Sequence, residues 1–338
     1  MKRHLFMLLI LIAAPVLACG FPLPAGMSSL PAAKSSCAEN EALETCQLRQ
    51  DAYQLMNKVS SATIPEFEVV LDMVNGAEVT HATMKGSIEY VVVPASEEGL
   101  GASVHVTITE GEMTQGSTTQ PFSGVEFIII GNRGYTSRDN GQTWIYEELT
   151  PDAMLGLNML LGIPGLSANR FYWLNDPAVF TITNGDPVDY AGQSLQTQTI
   201  SLDLTALLAS PELLTLLLTQ GMELASMAGV TEETLGFTVD QIVPVASQLE
   251  PFFSNTNFNT TIGIGDDGYI RYLDENYSLT MDDSATNSAN PTTVSFTYFV
   301  TGYLTGFNEP LSIVEPIGAT ESEDGLFGGG LGSSIFNQ

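Results

Sequence analysis

The spacing of apolar and polar residues changes from helical to alternating near residue 60. Between residues 41 and 60 the apolar positions lie among charged residues at helical spacing, which predicts an amphipathic first helix. From residue 66 to residue 148 short alternating segments are separated by Gly-rich or Asn-Gly turns, which predicts an antiparallel meander. The predicted strands lie near residues 67–73, 80–93, 102–109, 124–130 and 143–147.

The second half of the chain predicts helices first and strands afterwards. Residues 151–174 and 204–249 are rich in Leu and Met and helical in pattern, and the second block is broken at Pro211, Gly221 and Gly229. The order of elements predicts an α+β fold, a curved antiparallel sheet with helices segregated to one face. The remaining predicted strands lie near residues 178–183, 194–202, 258–263, 269–273, 277–281 and 293–301.

The N-terminus has the pattern of an export signal. Lys2 and Arg3 precede a short apolar run, and residues 16–19 read Val-Leu-Ala-Cys. This ending resembles the lipobox of bacterial lipoproteins, in which the thiol of the Cys, here Cys19, is diacylated and cleavage makes this residue the new N-terminus. The alternatives are an ordinary secretory signal or a transmembrane helix, although the run is short for spanning a bilayer. The predicted organisation is a signal peptide (1–18), a membrane tether (19–35), a folded domain (36–306) and a disordered Gly-rich tail (307–338).

The composition excludes nucleic acid as a partner. The chain has 10 Lys and Arg against 39 Asp and Glu, a formal net charge of −29, and charged residues make up only 14% of it. Binding to phosphates requires basic residues that displace counterions, and no basic stripe is present. Anionic head groups would repel the same surface, so attachment to a membrane would depend on the acylated Cys19.

Two further cysteines, Cys37 and Cys46, leave the pairing open. In an oxidising compartment two remaining thiols usually form a disulfide. Residues 36–39 resemble a capping box, however, and a helix that began there would place the two thiols on opposite faces. A helix that begins at Asn40 would leave Cys37 in the preceding turn, where it could fold back and bond.

Two short motifs have simpler interpretations than the functions they resemble. Residues 137–144, Ser-Arg-Asp-Asn-Gly-Gln-Thr-Trp, match the Asp-box of sialidase-like propellers, but a single copy predicts a stabilised hairpin turn rather than a glycosidase. Residues 263–268 satisfy the GxGxxG dinucleotide pattern, but a strand follows them, so we interpret them as another hairpin turn.

No catalytic or metal-binding constellation is visible in the sequence. After export only His81 and His105 remain as histidines, and no GxSxG or SxxK motif offers a nucleophile. We therefore expect no enzyme activity, no metal and no cofactor.

Two Leu- and Met-rich segments are the candidates for binding an apolar ligand. In residues 204–227 the apolar positions surround the predicted helix, so contact on more than one side is expected. A buried core helix gives the same pattern. Flexible thioethers nevertheless suit a cavity for alkyl chains of varied shape. The candidate ligand-binding residues are Met154, Leu160, Trp173, Leu214, Leu217 and Met222.

Together these features resemble the LolA-like lipoproteins, in particular the LppX and LprG group of envelope lipoproteins. The resemblance covers roughly residues 36–306. It rests on the lipobox at Cys19, a linker and first helix, the strands that close on Gly134-Tyr135 to residues 144–149, and the Leu-rich helices before the last strands. It implies a half-barrel whose concave face, capped by helices, holds acyl chains. Only Cys19 transfers as a residue, since the group has no sharp binding motif.

The expected function is therefore that of an exported, lipid-anchored protein on the outer side of a membrane. It would bind acyl chains or another hydrophobic ligand between sheet and helices, and carry or present lipid at the envelope. The alternative is a non-enzymatic envelope sensor or interaction lipoprotein whose core is filled by its own side chains.

Overall fold

The computed structural model describes residues 37, 41–56, 58–75, 78–92, 102–149, 180–210, 215, 253–282 and 293–322. Within them, helix α1 (Leu43–Met56) comes before the first strands, and the short helix α2 (Leu204–Ala209) follows β10. The carboxylate of Asp203 caps α2 by accepting a hydrogen bond from the amide of Ala206. None of the described helices is long and apolar enough to cross a membrane.

The described strands form one extended sheet. The strands are β1 (Ser61–Asn75), β2 (Glu78–Val92), β3 (Ala102–Gln115), β4 (Thr118–Phe122), β5 (Val125–Ile130), β6 (Arg133–Ser137), β7 (Ile145–Glu148), β8 (Phe180–Asn184), β9 (Val188–Tyr190), β10 (Gln193–Leu202), β11 (Phe253–Ile264), β12 (Ile270–Asp282), β13 (Thr293–Tyr303) and β14 (Thr320–Glu321).

The sheet is open and almost entirely antiparallel. Its order is β14-β7-β6-β5-β3-β2-β1-β13-β12-β11-β10-β8, while β4 pairs with β3 and β9 with β10. The first and last long strands, β1 and β13, lie side by side at its centre, which joins the two halves of the chain. The curved antiparallel sheet predicted from the sequence is confirmed, and it does not close into a barrel.

Irregular positions interrupt the two longest strands. The pairing of β1 with β2 shifts between Ile64 and Phe67, and Pro65, which cannot donate to a ladder, lies at this shift. The pairing of β2 with β3 shifts next to Gly86, where a Cβ would overlap the carbonyl of Thr107 and contact the ring of Phe67. Bulges of this kind bend a strand, so both contribute to the curvature of the sheet.

The two faces of the sheet differ in polarity. Alternate residues of each strand point to opposite faces, and cross-strand partners share a face. One face, the apolar face, carries Phe67, Val69 and Leu71 of β1 and continues through apolar side chains on the neighbouring strands. The other, the polar face, carries residues such as Glu68 and Asp72. The apolar face thus packs on the core, whereas the polar face carries charged side chains.

Helix α1 packs on the apolar face and closes one end of it. Ala52, Tyr53 and Met56 belong to the same hydrophobic core as the strands. The structure begins the helix at Leu43 and joins Cys37, which precedes it, to Cys46 in a disulfide with 5.6 Å between the Cα atoms. This geometry corresponds to the alternative in which Cys37 folds back.

Some predicted elements need correction. Residues 269–273 and 277–281 were expected as two strands and form the single strand β12. The polar run Asp274, Glu275 and Asn276 separates the two apolar segments in the sequence. In the structure this run continues the ladders with β11 and β13 without a break. Strands β4, β6 and β9 were not predicted, and the helices expected at 151–174 and in most of 204–249 lie outside the described residues.

The predicted disordered tail also needs correction. Residues 307–322 are described, and they run from the end of β13 to the far edge of the sheet. Asn308 accepts a hydrogen bond from the amide of Ser60 at 2.7 Å, and Thr320–Glu321 pair in parallel with β7. Backbone hydrogen bonds therefore fix both ends of a segment that composition alone suggested was unstructured. The rest of the predicted tail lies outside the described residues.

Candidate functional site

The outer half of the apolar face is the candidate functional site. It lies on strands β1 to β4, β8 and β10 to β13, on the same face as α1 but at the end away from this helix. The register places side chains from neighbouring strands in rows, so the surface can be followed from the rim towards the helix.

The rim is formed by apolar side chains that are only partly covered. Met73 on β1 is 43% exposed, and its cross-strand partner Phe296 on β13 is half-buried. The partly buried side chains that pack against the core here are Leu71, Met84, Phe122, Phe180, Ile182, Leu202 and Phe296. An apolar surface of this extent is the type that proteins use for apolar ligands or partners.

Behind the rim, an aromatic row crosses three adjacent strands. Phe258 on β11, Tyr277 on β12 and Tyr298 on β13 are consecutive cross-strand partners. The ring centroids of Phe258 and Tyr277 are 5.8 Å apart, and those of Tyr277 and Tyr298 are 6.0 Å apart. Phe296 extends the row towards the rim, 6.3 Å from Tyr298. The four rings give this part of the sheet a continuous, stiff, apolar floor.

A small polar group is buried within this floor. The hydroxyls of Thr260 and Tyr277 are 2.9 Å apart and share a hydrogen bond. Glu275 is the cross-strand partner of Thr260 and lies two residues from Tyr277 on the same strand, so all three side chains share the apolar face. Each of the three is buried, Glu275 to the point of being only 1% exposed.

The boundary of the site on the helix side is fixed by a buried arginine. The guanidinium of Arg49 is paired with the carboxylate of Glu41 and donates to the side-chain oxygen of Gln198 at 3.1 Å. Gln198 in turn donates to the backbone carbonyl of Thr45 at 2.9 Å. These contacts hold the start of α1 against β10, because a buried charge is tolerated only where it is paired and hydrogen-bonded.

The residues that the sequence nominated for ligand binding lie outside the described residues. This holds for Met154, Leu160 and Trp173 before β8 and for Leu214, Leu217 and Met222 after α2, and it holds for the lipidation candidate Cys19. Their roles stay predictions. The structure instead brings together side chains of the strands, which the sequence analysis did not nominate.

The aromatic row could have been anticipated only in part. Tyr277 alternates with Leu279, and Phe296 and Tyr298 alternate with Val300, so each strand predicts an apolar face by itself. Which strands are neighbours, and in which register, depends on contacts between residues 258 and 298 that no local pattern encodes.

The polar face carries both described histidines. His81 contacts Asp72 across β1 and β2 at 2.6 Å, and His105 lies 2.9 Å from Glu126 and 3.6 Å from Glu89. Each imidazole is thus held by carboxylates on the ladder.

One group of potential metal ligands occurs among the described residues, formed by Cys37, Glu41 and Cys46. The two sulfur atoms are bonded to each other, and Glu41 pairs with Arg49. Since thiolates are the groups that bind metals, the disulfide does not provide this chemistry. The residues present therefore do not fit a metal site in this state.

The two motif-bearing turns adopt the structures that their residues favour. Asp139 accepts hydrogen bonds from the amides of Gln142 and Thr143, and Thr143 also donates its hydroxyl at 2.7 Å. These bonds, with the Thr143 hydroxyl first, lower the pKa of Asp139 to about 2. Gly268, with φ at +80°, lies in the turn between β11 and β12 that the GxGxxG pattern covers. Both are hairpin connections.

Comparisons with known proteins give likenesses in structure only. No family model matches the chain, and no curated protein matches it. The lipoprotein LppX of Mycobacterium tuberculosis matches with a TM-score of 0.34 and 9% identity, over 79% of this chain and 97% of that one. LprF from Mycobacterium bovis matches with a TM-score of 0.32 and 12% identity, over 81% of this chain and 98% of that one.

A third match is an outer membrane lipoprotein-sorting protein domain from Vibrio parahaemolyticus. Its TM-score is 0.26 and its identity 8%, over 84% of this chain and 96% of that one. TM-scores below 0.5 carry no inference about ligand or activity. LppX, LprF and the lipoprotein-sorting domain are therefore structures to which this chain is similar at low identity, and the likeness goes no further.

Proposed function

We propose that this protein binds acyl chains or another hydrophobic ligand on the outer half of its apolar face. The observation that carries the proposal is the partly exposed apolar rim at Met73 and Phe296, which continues into the buried aromatic row behind it. An isolated exposed apolar residue is ordinary in a folded protein, whereas a contiguous surface backed by stiff rings suits a ligand.

The proposal includes the location of the protein. The lipobox at Cys19 supports export and lipid anchoring on the outer side of a membrane, where the chain would carry or present lipid at the cell envelope. We infer no enzyme activity, since the described histidines are held by carboxylates on the polar face, away from the site.

Substitutions on opposite faces of one strand test the proposal. Leu71 faces the site and Val70 faces the polar side, and both are half-buried. In Leu71→Asn, an unpaired amide would face the ligand's alkyl chain, so binding of a fluorescent fatty-acyl probe should weaken at least about tenfold. Val70→Asn is the matched control and should bind like the unchanged protein.

Probe titration followed by fluorescence is the measurement, with circular dichroism melting as a check of folding. If the unchanged protein shows no saturable probe binding, or if both variants weaken it equally, the site is not where we place it. Mass spectrometry of the material extracted from the purified protein would then identify any ligand it carries.

A second function is favoured by one observation. Phe258, Tyr277 and Leu279 are already buried in the structure, as expected if the space above them is filled by the protein itself. In that case the protein would be an envelope sensor or interaction lipoprotein that binds a partner at the partly exposed rim. Absence of probe binding together with a clearly lowered melting temperature in Leu71→Asn would favour this function, because the unpaired amide would then be buried in packed protein.

A further inference from the structure

The disulfide between Cys37 and Cys46 is unsymmetrical in its exposure. Cys46 lies on α1 and is completely buried, whereas Cys37 precedes the helix and is only half-buried. Of the two residues, Cys37 is thus the one that offers surface to a thiol from solution. In thiol–disulfide exchange the attacked sulfur forms the new bond, and the other sulfur leaves as a thiolate. Attack at Cys37 would therefore release the thiolate of Cys46.

Side chains of α1 are placed to stabilise this leaving thiolate. The amide nitrogen of Gln50 donates to the Sγ of Cys46 at 3.2 Å and lies farther, 3.9 Å, from the Sγ of Cys37. A guanidinium nitrogen of Arg49 lies 4.0 Å from the Sγ of Cys46. Hydrogen-bond donors and cations stabilise a thiolate more than a neutral sulfur. Negative charge would thus develop on the sulfur that already has these contacts.

The carboxylate of Glu41 acts in the opposite direction, and Arg49 offsets it. The ligand atoms of Glu41, Cys37 and Cys46 lie within 4.8 Å of one another, and a like charge disfavours a thiolate. Glu41 is paired with Arg49, however, with 3.0 Å between Nη2 and Oε2. The pair adds little net charge near the sulfurs, so the hydrogen bond from Gln50 distinguishes Cys46 from Cys37.

The disulfide also closes the segment that holds the start of α1. Cys37 and Cys46 are nine residues apart, and Glu41 lies between them. Glu41 pairs with the buried Arg49, whose guanidinium donates to Gln198 on β10. A closed loop restricts the chain more than an open one does. Reduction would therefore remove a constraint on the contacts that hold the start of α1 against the sheet.

We propose that the Cys37–Cys46 disulfide is an exchangeable bond, which an external dithiol reduces in the folded protein by attack on Cys37. Reduction then loosens the start of α1. The inference goes beyond the proposed function and does not depend on it, because no ligand of the apolar face takes part.

The exchange balances in atoms and electrons. A thiolate of the dithiol forms a bond to the Sγ of Cys37, and the electron pair of the protein's S–S bond passes to the Sγ of Cys46, which takes up a proton. The second thiol of the dithiol attacks the mixed disulfide, releases Cys37 as a thiol and closes the reagent's own disulfide. Two electrons and two protons pass from the dithiol to the protein.

Reduction in increasing urea distinguishes this bond from a structural disulfide that reacts only after unfolding. The sample is the full chain with Cys19→Ser, in which Cys37 and Cys46 are the only cysteines. The rate should be proportional to the dithiothreitol concentration and should change less than about twofold between 0 and 1 M urea. Reduction through global unfolding would accelerate at least about fivefold over this range, because unfolding exposes a large surface to urea.

The site of attack is measured with glutathione, a monothiol that stops at the mixed disulfide. Samples taken at early times are quenched in acid and alkylated in denaturant. Fragmentation of the tryptic peptide 35–49 by mass spectrometry then places each group. We expect glutathione on Cys37 and the alkyl group on Cys46, at least about tenfold more often than the reverse. Equal labelling of the two cysteines would overturn the inference.

Two substitutions on α1 test the leaving group. Gln50→Leu removes the donor to Cys46 and should slow reduction of the folded chain by dithiothreitol at least about threefold. Gln47→Leu is the matched control, because Gln47 is exposed on the same helix and donates to Asp51. It should leave the rate unchanged. If Gln50→Leu does not melt cooperatively, the site of attack in the sample with Gln50 intact decides alone.

Hydrogen exchange of the oxidised and reduced protein measures the effect on the helix. In the reduced form the amides of residues 43–50 should exchange at least about fivefold faster, while those of β1 to β3 should keep their rates. Equal exchange at residues 43–50 in both forms, a steep dependence of reduction on urea, or an unchanged rate in a folded Gln50→Leu would each overturn the inference. Binding of the fluorescent acyl probe is measured separately, so failure of either proposal leaves the other standing.

Discussion

At the scale of single residues, Asp139 shows how one carboxylate organises a turn. Its side chain accepts hydrogen bonds from the amides of Gln142 and Thr143 and from the hydroxyls of Ser137 and Thr143. The side chain thus replaces backbone partners that a tight turn cannot provide, which is the reason that Asp is favoured there. The same motif in a propeller would recur in each blade, whereas here it forms the turn of one hairpin, which joins β6 to β7.

The lowered pKa of Asp139 makes this turn sensitive to acid. Because the folded-state pKa is about 2 and the ordinary value is 3.8, the ionised carboxylate contributes stability above about pH 4 and loses it as the pH falls towards 2. Asp139→Asn should therefore lower the melting temperature at pH 7 by roughly 1–3 °C. As the pH falls towards 2, the variant and the unchanged protein should converge.

Melting curves between pH 2 and pH 7 measure this difference. The control is Asp203→Asn, which removes a carboxylate that accepts a hydrogen bond from the amide of Ala206 at the start of α2. A difference between the Asp139 variant and the unchanged protein that is equally large at pH 2.5 and at pH 7 would contradict the assignment of the effect to the charge.

At the scale of elements, the sequence patterns predicted where most of the strands lie, but not the order of the strands in the sheet. Alternation predicted β1, β2 and β3, and it failed for β12, where the polar run at Asp274 to Asn276 disguised a continuous strand. The short strands β6 and β9 carry too few residues for a pattern to emerge. Order in the sheet depends on long-range pairing, such as β1 with β13, and local propensity does not encode it.

For the candidate site, too, the sequence predicted patterns within a segment but not the contacts between strands. The sequence nominated helical residues such as Leu214 and Leu217, because all-round apolarity is visible within one segment. The aromatic row and the buried Glu275 require knowledge of which strands are neighbours. A polar residue at position 275 appears, in sequence, to be one of many acidic residues, and only its place on the apolar face distinguishes it.

Strand β14 illustrates how a short element can hold a long segment. The amide of Thr320 donates to the carbonyl of Trp144 at 3.0 Å, and the amide of Ser322 donates to Tyr146 at 2.8 Å. Proline has no amide hydrogen, so Thr320→Pro should detach the segment at a cost of about 1–2 kcal/mol and speed proteolysis between residues 309 and 322. Thr320→Val keeps the amide and is the control.

Limited proteolysis followed by mass spectrometry, with thermal melting of the same samples, measures the effect. Equal cleavage rates for the proline and valine variants would show that β14 does not hold the segment in solution. The result bears on the edge strand β7, because β14 covers backbone groups that would otherwise be open to pairing with another chain.

At the scale of the whole molecule, the structure combines an apolar surface with an acidic, base-poor exterior. The formal net charge of −29 keeps the protein away from anionic surfaces, so an apolar ligand could approach the rim while head groups would be repelled. Attachment to a membrane would then depend on the acylation that we propose at Cys19. The disulfide between Cys37 and Cys46 fixes the chain to α1 at the point where the domain begins.

The last prediction concerns this attachment. Cys19 is the residue that the lipobox offers for acylation, and two acyl chains give durable anchoring where one chain is marginal. Cys19→Ser should move the protein from the membrane fraction to the soluble fraction or leave an uncleaved precursor, and globomycin should block processing of the unchanged chain. Cys37→Ser removes a thiol within the domain and serves as the control, since it should stay with the membrane. Fractionation followed by immunoblotting measures both, and a processed Cys19→Ser protein that remains membrane-bound would show that the anchor lies elsewhere.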